Sequence, residues 1–354
     1  MKRAALAALA TLAVLALLLV LAWHLSPWPR TLLIRSAFEA EANRTAQAMW
    51  RHAPAGVQAQ RDLAYDPSDA DARLDLYRPA TAEPGEALPV VVWFHGGAFI
   101  SGRRADVAPY LHILAAEGYA TVAVGYSLAP RARYPTPLLQ ANTALGWLHD
   151  HAAELGLDMD RIVLAGDSAG AQLAAQMALL ATDPAYAQRV GVVPRIRADQ
   201  LRATVLACGA LDLSLVDLDG DGAGSAFMRT VTWAYSGRRD FRRVPGFDLM
   251  SVAEHVGPGF PPTFITAGNA DPLLPHSLSM QARLLDAGVE VDGLFFPPDH
   301  TPALPHEYQF NLDSDEGRLA LERIQAFLGR RIAPAGRGPD AAEPSDHSRD
   351  TGPR

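Results

Sequence analysis

Six short runs of apolar residues recur along the middle of the chain, and segments with helical spacing separate them. The runs cover residues 90–94, 121–126, 162–165, 203–208, 263–267 and 291–296. Strands that are apolar at every position are typical of a sheet buried on both faces, and helical connections bring successive strands parallel. The sequence therefore predicts an α/β fold, with a mostly parallel sheet, helices on both faces and a ligand crevice at the carboxyl ends of the strands.

The sharpest local signal is a Gly-Asp-Ser-Ala-Gly pentapeptide at 166–170, directly after one of these runs and before a helix-forming segment. Small residues on both sides of Ser168 allow a tight turn from strand to helix that projects the serine hydroxyl above the sheet. The pentapeptide alone is weak in a chain with 28 glycines, so the flanking strand and helix carry the argument. Ser168 is the candidate nucleophile.

A second small-residue turn follows the run that ends at Phe94, with the sequence His-Gly-Gly-Ala-Phe at 95–99. Such a turn exposes backbone N–H groups, which can bind an oxygen that becomes negative during acyl transfer; one lost donor costs about 3 kcal/mol of transition-state stabilisation. Taken alone, the segment is equally well explained as a glycine turn after a core strand. The candidate donors for an oxyanion hole are the backbone N–H groups of Gly96, Gly97, Ala98 and Ala169.

Both turns, together with Tyr-Ser-Leu-Ala-Pro at 126–130 and Tyr-Pro at 134–135, resemble the hormone-sensitive-lipase-like branch of the α/β-hydrolase serine esterases, known in bacteria as family IV. The resemblance covers residues 75–328. It implies an α/β-hydrolase fold with a helical cap, and hydrolysis of carboxylic esters through an acyl-enzyme without a cofactor or metal. Ala98 and Ala171 depart from the family pattern, in which glycine is more common at both positions, but each keeps its backbone N–H.

A site of this kind also needs an acid and then a histidine further along the chain. Asp271 follows the run 263–267 in a small-residue turn, which places its carboxylate at the carboxyl edge of the sheet, where it can orient an imidazole ring. An ordinary Asp-Pro turn before the next helix is the alternative explanation for this residue.

Two histidines, His300 and His306, follow the last strand-like run. The resemblance favours His306 as the base, because an aromatic residue, Tyr308, stands two positions later and a final amphipathic helix is predicted at 315–328. His300 remains the alternative base. By the same resemblance, His95 is structural and braces the oxyanion turn.

The N-terminus carries an uninterrupted apolar run of 20 residues at 4–23, preceded by Lys2 and Arg3. A helix of that length spans about 30 Å of hydrocarbon. It favours an uncleaved single-pass anchor in the inner membrane, with Trp23 and Trp28 at the interface and the remaining chain in the periplasm or outside the cell. Cleavage as a signal peptide, which would give a secreted protein, is the alternative.

Three segments follow from these patterns. A membrane anchor or signal segment occupies 1–30, and a catalytic α/β-hydrolase domain occupies 31–332. By resemblance, its cap elements lie near 31–56 and 213–256 and select the substrate. The tail at 333–354 is rich in Pro, Gly, Asp and Ser and is predicted to be disordered.

Composition narrows the partners. The formal net charge of -8 and the absence of a basic stretch give no reason to expect a nucleic-acid partner.

The single cysteine, Cys208, cannot form an internal disulfide and is predicted to be a small core residue. Residues 217–222 imitate the first half of a calcium loop, but Met228 stands where the closing carboxylate belongs, so no metal site is predicted there. The oligomeric state is left open.

The predicted activity is therefore that of a serine carboxylesterase acting on a small-molecule or lipid ester at the cell-envelope membrane. Two alternatives remain. An envelope acyltransferase or an amidase would use the same nucleophile and oxyanion hole. A catalytically silent module of the same fold would bind a partner instead.

Overall fold

The chain folds around one eight-stranded sheet, in a computed structural model that describes residues 2–83 and 85–334. Its strands are β1 Val57–Ala64, β2 Arg73–Pro79, β3 Leu88–Phe94, β4 Ala120–Val124, β5 Leu157–Asp167, β6 Leu201–Ala207, β7 Thr263–Thr266 and β8 Val291–Leu294. Their order across the sheet is β1-β2-β4-β3-β5-β6-β7-β8. The six strands β3 to β8 pair in parallel with one another, whereas β1 pairs antiparallel with β2 and β2 pairs antiparallel with β4, so the predicted mostly parallel sheet is confirmed.

The two antiparallel strands, β1 and β2, were not among the sequence predictions. Most side chains of β1 are exposed, and its sequence Val-Gln-Ala-Gln-Arg-Asp-Leu-Ala has no apolar run. An edge strand gains its order from backbone hydrogen bonds to one neighbour and does not need an apolar face of its own. The search for apolar runs therefore finds the central strands and misses β1 at the edge. It also misses β2, which is largely buried and paired on both sides, because Asp75 and Arg78 interrupt its apolar positions.

Helices cover both faces of the sheet. The α-helices of the described residues are α1 Lys2–Leu25, which does not pack on the sheet, and α2 Trp28–Met49, α3 Arg104–Ala116, α4 Thr136–Asp150, α5 Ala152–Leu155, α6 Ala169–Thr182, α7 Pro184–Val190, α8 Ala223–Ser236, α9 Leu274–Asp286 and α10 Asp315–Ile332. In β3, Val90, Val92 and Phe94 belong to a core shared with α4 and α6. Val91 and Trp93 face a second core shared with α3 and α10. This alternation explains why the central strands are apolar at every position.

The N-terminal helix α1 stands apart from both cores. The stretch Arg3–Leu25 has a mean hydropathy of 2.8, and none of it is buried against the remaining chain. A helix of this length and composition is typical of a membrane anchor or a signal sequence. It ends at Leu25, and α2 begins at Trp28 after Pro27. The predicted disorder of the tail falls, beyond Ala333 and Pro334, outside the described residues.

Gly170 fixes the contact between α6 and the sheet. A Cβ atom at this position would lie 1.9 Å from the carbonyl oxygen of Phe94, which is backbone and cannot move aside. We expect Gly170→Ala to lower the free energy of unfolding by about 3 kcal/mol, because the added methyl group forces the helix off the strand. Urea unfolding followed by tryptophan fluorescence measures this change.

The matched control is Gly329→Ala in α10, where nothing lies within 4 Å of the added Cβ. That substitution should raise the free energy of unfolding by roughly 0.5–1 kcal/mol through helix propensity. Equal effects of the two substitutions would contradict the close approach of α6 to β3.

Candidate active site

Ser168 occupies the turn between β5 and α6 in a strained backbone conformation. Its φ is 52° and its ψ is -118°, a combination that side chains with a Cβ rarely adopt. The Ser168 N–H donates a hydrogen bond of 2.8 Å to the carbonyl oxygen of Ala207 at the end of the neighbouring strand β6. The sheet therefore holds the strained turn in place, at the position where the sequence predicted a nucleophile.

A cavity of about 740 Å³ lies over the turn, at the carboxyl ends of the strands. Its volume falls within the range of small-molecule pockets, about 300–1,000 Å³. Every residue that the sequence places at the site lines this cavity, namely Gly96, Gly97, Ala98, Ser168, Ala169, Asp271 and His306. The fold thus brings together residues that are up to 210 positions apart, between 96 and 306.

His306 pairs with Asp271. Its Nδ1 lies 2.9 Å from Oδ2 and 3.0 Å from Oδ1 of the carboxylate, whose side chain is fully buried. Asp271 also accepts the Leu273 N–H at 2.7 Å, which fixes the carboxylate in the turn after β7. Burial alone lowers the pKa of His306, but its neighbours Cys208 and Asp271 outweigh burial and hold that pKa well above the usual value.

The alternative histidine, His300, lies elsewhere. Its Nε2 is 2.9 Å from Oε1 of Glu316 at the start of α10, and the residue does not line the cavity. The ring also packs against Phe296, with 4.8 Å between the ring centroids. These contacts fasten the loop after β8 to the last helix.

The predicted oxyanion turn needs one correction. The Gly96 N–H donates a hydrogen bond of 2.7 Å to Oδ2 of Asp167, so it is not free to bind a substrate oxygen. No hydrogen bond joins the N–H of Gly97, Ala98 or Ala169 to another residue in the described part of the chain. The candidate donor set is therefore Gly97, Ala98 and Ala169.

Gly97 shapes this turn because its φ is 111°, and an added Cβ would lie 2.2 Å from the carbonyl oxygen of Ser101. The next residue, Ala98, adopts a φ of 55°. Glycine occupies this left-handed region without cost, whereas alanine is strained there. Alanine in place of the family's usual glycine at position 98 therefore keeps the N–H donor, but it leaves the backbone strained beside the cavity.

Two carboxyl groups near the base were missed by the sequence reasoning. Asp167 is buried and accepts hydrogen bonds from Trp93 Nε1 and Gly96 N, each at 2.7 Å. Burial and then the neighbouring Glu307 raise the pKa of Asp167 well above its usual value. Glu307 has a φ of 59°, and its Oε1 lies 3.8 Å from Nε2 of His306. The sequence feature that could have identified Glu307 is its position directly after the predicted base, His306.

Cys208 is buried as predicted, but it follows β6 rather than ending it. Burial raises the pKa of its thiol. Polar atoms of Cys208, Asp271 and His306 lie within 4.8 Å of one another, so these residue types are also a conceivable metal set. The carboxylate and the imidazole are already hydrogen bonded to each other, and this pairing accounts for both groups without an ion.

His95 is buried at the base of the oxyanion turn. Its Nδ1 lies 2.8 Å from the Gly96 carbonyl oxygen, and its ring stacks on Tyr126 with 4.3 Å between centroids. The Tyr126 hydroxyl donates a hydrogen bond of 2.6 Å to the His95 carbonyl oxygen. These contacts join the turn to the 126–130 segment.

The wall opposite the turn is apolar and comes from the two segments that the sequence predicts as cap elements. Phe38 and Ala42 of α2 line the cavity from one segment, and Phe227, Met228 and Tyr235 of α8 line it from the other. The rings of Phe38 and Phe227 contact each other, with 5.8 Å between centroids. The two segments thus meet over the cavity.

The calcium-like loop lies beside this wall. One oxygen of Asp217 accepts the backbone N–H groups of Asp219 and Gly220, and the other accepts the hydroxyl of Ser225. The hydrogen-bonding capacity of the Asp217 carboxylate is therefore used within its own loop and on the first turn of α8.

Comparisons with known proteins agree with this architecture. A family model for the alpha/beta hydrolase fold matches residues 91–300. The chain is 29% identical over 274 residues to "Esterase LipQ" of Mycobacterium tuberculosis, a match that covers 76% of this chain and 61% of the relative. It is 32% identical over 285 residues to "Carboxylesterase NlhH" of the same species, covering 77% of this chain and 82% of the relative.

The other matches place the chain within the family. It is 38% identical over 143 residues to "Hormone-sensitive lipase" of Ictidomys tridecemlineatus, covering 40% of this chain and 18% of that protein. The crystal structure of esterase B from Lactobacillus rhamnosis shares the fold, with a TM-score of 0.71, 23% identity and coverage of 85% of this chain and 96% of that one. The chain belongs to the α/β-hydrolase fold family, in its hormone-sensitive-lipase-like branch, and is an enzyme of the serine hydrolase class.

Proposed function

We propose that the protein hydrolyses carboxylic esters through an acyl-enzyme. Ser168 attacks the ester carbonyl while His306 takes the hydroxyl proton, and His306 then gives that proton to the leaving alcohol. Asp271 holds the imidazole ring and stabilises its charged form. Water, activated by the same histidine, releases the acid and restores Ser168.

The oxyanion forms next to the turn at 97–98. The N–H groups of Gly97, Ala98 and Ala169 are the proposed donors, because they line the cavity and have no partner among the described residues. The position of Ala169 at the first turn of α6 adds the positive end of the helix dipole.

The observation that carries the proposal is the shared cavity of Ser168 and the His306–Asp271 pair. A fluorophosphonate probe tests it, since such probes form a stable adduct only with an activated serine. We expect stoichiometric labelling, with peptide mass spectrometry placing the adduct on Ser168. Failure of the folded protein to react would favour the catalytically silent binding module.

Ester class is the next question. The apolar cavity wall, including Phe38 and Phe227, favours an ester with an apolar acyl group, and p-nitrophenyl esters of increasing chain length measure how long that group can be. Preference for short acyl groups indicates an esterase, whereas sustained activity on long ones indicates a lipase-like enzyme. An acyltransferase would instead produce a new ester when an alcohol acceptor is added.

We further propose that α1 anchors the enzyme to the cell-envelope membrane and that the segments near 31–56 and 213–256 act as its cap. The first proposal rests on the length and hydropathy of α1, with Lys2 and Arg3 on the cytoplasmic side. The second rests on the contribution of both segments to the cavity wall. A substrate ester then reaches the site from the periplasm, or from outside the cell.

The pH dependence follows from the environment of His306. The free enzyme needs a neutral base, so kcat/KM falls as pH drops through the pKa of His306. Because acidic neighbours raise that pKa, the fall should be centred above about 6.5, the value for an unperturbed imidazole. Glu307→Gln removes one of the acidic neighbours that raise this pKa, and we expect the midpoint to move to lower pH.

Glu41→Gln is the matched control, because Glu41 lines the same cavity from α2 and pairs with Arg44 rather than with the histidine. Its profile of kcat/KM against pH should coincide with that of the unmodified enzyme. A midpoint that stays fixed in Glu307→Gln would show that this carboxylate does not act on the base.

A further inference from the structure

A second cavity, of about 430 Å³, adjoins the oxyanion turn and is rich in arginine. His95 and Gly102 line both this cavity and the catalytic one, so the base of the turn separates them. We call it the arginine cavity. Its charged lining consists of Arg35, Arg73, Arg103, Arg104, Arg131 and a single carboxylate, Asp71.

Three of the arginines are paired within the protein. Arg131 forms an ion pair with Asp71, which also accepts the Ser127 hydroxyl at 2.7 Å. Arg103 pairs with Asp106 at 2.9 Å. Arg104 bridges two carboxylates, Asp75 at 2.6 Å and Asp62 at 2.5 Å. The acidic side chains around the cavity are therefore already engaged by these three guanidinium groups.

The other two arginines have no carboxylate partner in the described part of the chain. Arg35, on α2, donates to the carbonyl oxygens of Ile100 at 2.6 Å and Ala129 at 2.9 Å. Arg73, at the start of β2, forms no hydrogen bond or ion pair through its side chain with any described residue, although it is half-buried. A partly buried, unpaired guanidinium group is costly unless an anion accompanies it.

The position of the cavity favours an anion presented at a membrane surface. Trp28, the first residue of α2, lines the cavity, and α1 ends only three residues earlier at Leu25. Tryptophan prefers the head-group level of a bilayer, and basic pockets beside a membrane helix bind lipid head groups. Guanidinium groups also match the oxygens of phosphate through paired hydrogen bonds.

We propose that the arginine cavity binds a phosphate group, either in the head group of an anionic phospholipid or as free inorganic phosphate, with Arg35 and Arg73 as its unpaired cationic ligands. This proposal does not depend on the catalytic assignment, because the cavity is separate from the one that contains Ser168. It adds a ligand site on the other side of the oxyanion turn.

Calorimetric titration of the full-length protein in detergent micelles tests this site with two probes. The first is phosphatidylglycerol with ether-linked chains, which offers the head group but no ester to cleave. The second is inorganic phosphate, titrated against sodium chloride of equal ionic strength. Whichever of the two probes binds the unmodified protein, we expect Arg73→Gln to weaken its binding by about tenfold, which is the usual loss of affinity when one charge-assisted hydrogen bond is removed.

Arg61→Gln is the matched control, since Arg61 lies on the exposed strand β1, carries the same charge and does not line the cavity. Its affinity for either probe should remain within about twofold of the unmodified protein, because only long-range charge is lost. The Arg73 side chain forms no hydrogen bond or ion pair with a described residue, so Arg73→Gln should melt close to the temperature of the unmodified protein.

The outcomes separate the two sources of phosphate. Loss of phosphatidylglycerol binding in Arg73→Gln supports a lipid site, and loss of binding confined to inorganic phosphate supports a site for the free ion and excludes the lipid. Equal binding by the unmodified protein and Arg73→Gln for both probes overturns the proposal, as does the absence of binding by the unmodified protein. Arg73→Lys keeps the positive charge but loses the planar guanidinium group. Its affinity for the bound probe should therefore lie between those of the unmodified protein and Arg73→Gln.

Discussion

Ser168→Ala should lower kcat/KM for p-nitrophenyl esters by about 10⁵- to 10⁶-fold, the loss that follows removal of a catalytic serine in enzymes with this mechanism. The reason is geometric. The strained turn projects one hydroxyl group into the cavity that His306 and Asp271 also line, and alanine offers no atom that can bond to the acyl carbon. Initial rates at substrate concentrations well below KM measure the effect directly.

The fold should survive this substitution. Alanine keeps the Cβ atom that the turn already accommodates, and the N–H bond to Ala207 does not involve the side chain. Circular dichroism and the thermal midpoint should therefore match those of the unmodified enzyme. Ser225→Ala is the control, since Ser225 also lines the cavity and its hydroxyl donates to Asp217 rather than to a residue of the proposed catalytic set. Substantial turnover by Ser168→Ala would refute the assignment of the nucleophile.

His306→Ala should be almost as damaging, with a loss of about 10⁵-fold in kcat/KM, because the serine and the base act as a unit. His300→Ala is the matched comparison, as both histidines lie in the loop after β8 and each hydrogen bonds to one carboxylate. We expect the His300 substitution to leave kcat/KM within about threefold, since its imidazole is not in the cavity.

Labelling distinguishes a lost base from a misfolded loop. His306→Ala should react with a fluorophosphonate much more slowly than the unmodified enzyme while keeping the circular dichroism spectrum of the folded protein, although its melting temperature should fall because the buried Asp271 carboxylate loses its partner. His300→Ala should label at the normal rate but melt a few degrees lower, because the hydrogen bond between His300 and Glu316 fastens the loop to α10. If His300→Ala is instead the variant that fails to acylate, the roles of the two histidines are reversed.

Much of the architecture could be predicted because it depends on local patterns. A strand between two layers of helices must be apolar at every position, and such runs indicated six strands and the position of the turn at Ser168. The edge strand β1 was missed because its exposed residues form no such run, and β2 was missed because charged residues interrupt its apolar positions, although the strand is largely buried. The long apolar run predicted α1 equally directly, because a hydrocarbon core requires about 20 consecutive apolar residues.

The candidate site was predictable only as a set of residue types. A chain order of serine, acid and histidine identifies Ser168 and Asp271 but leaves His300 and His306 as alternatives. The residues next to each histidine in the sequence do not determine which imidazole ring enters the cavity. The same limit applies to the oxyanion turn. Three consecutive N–H groups look equivalent in sequence, yet the buried Asp167 accepts the one from Gly96.

By itself, the sequence determined the layered α/β fold, the apolar N-terminal helix and the glycine turns that expose a serine, since each depends on residues close together along the chain. Only the tertiary structure decided that His306 pairs with Asp271 beside Glu307, that the buried Asp167 accepts the Gly96 N–H, and that distant arginines line a second cavity. Those features depend on contacts between remote segments. Their energies come from burial and from distances of a few ångströms, which a linear order of residues does not specify.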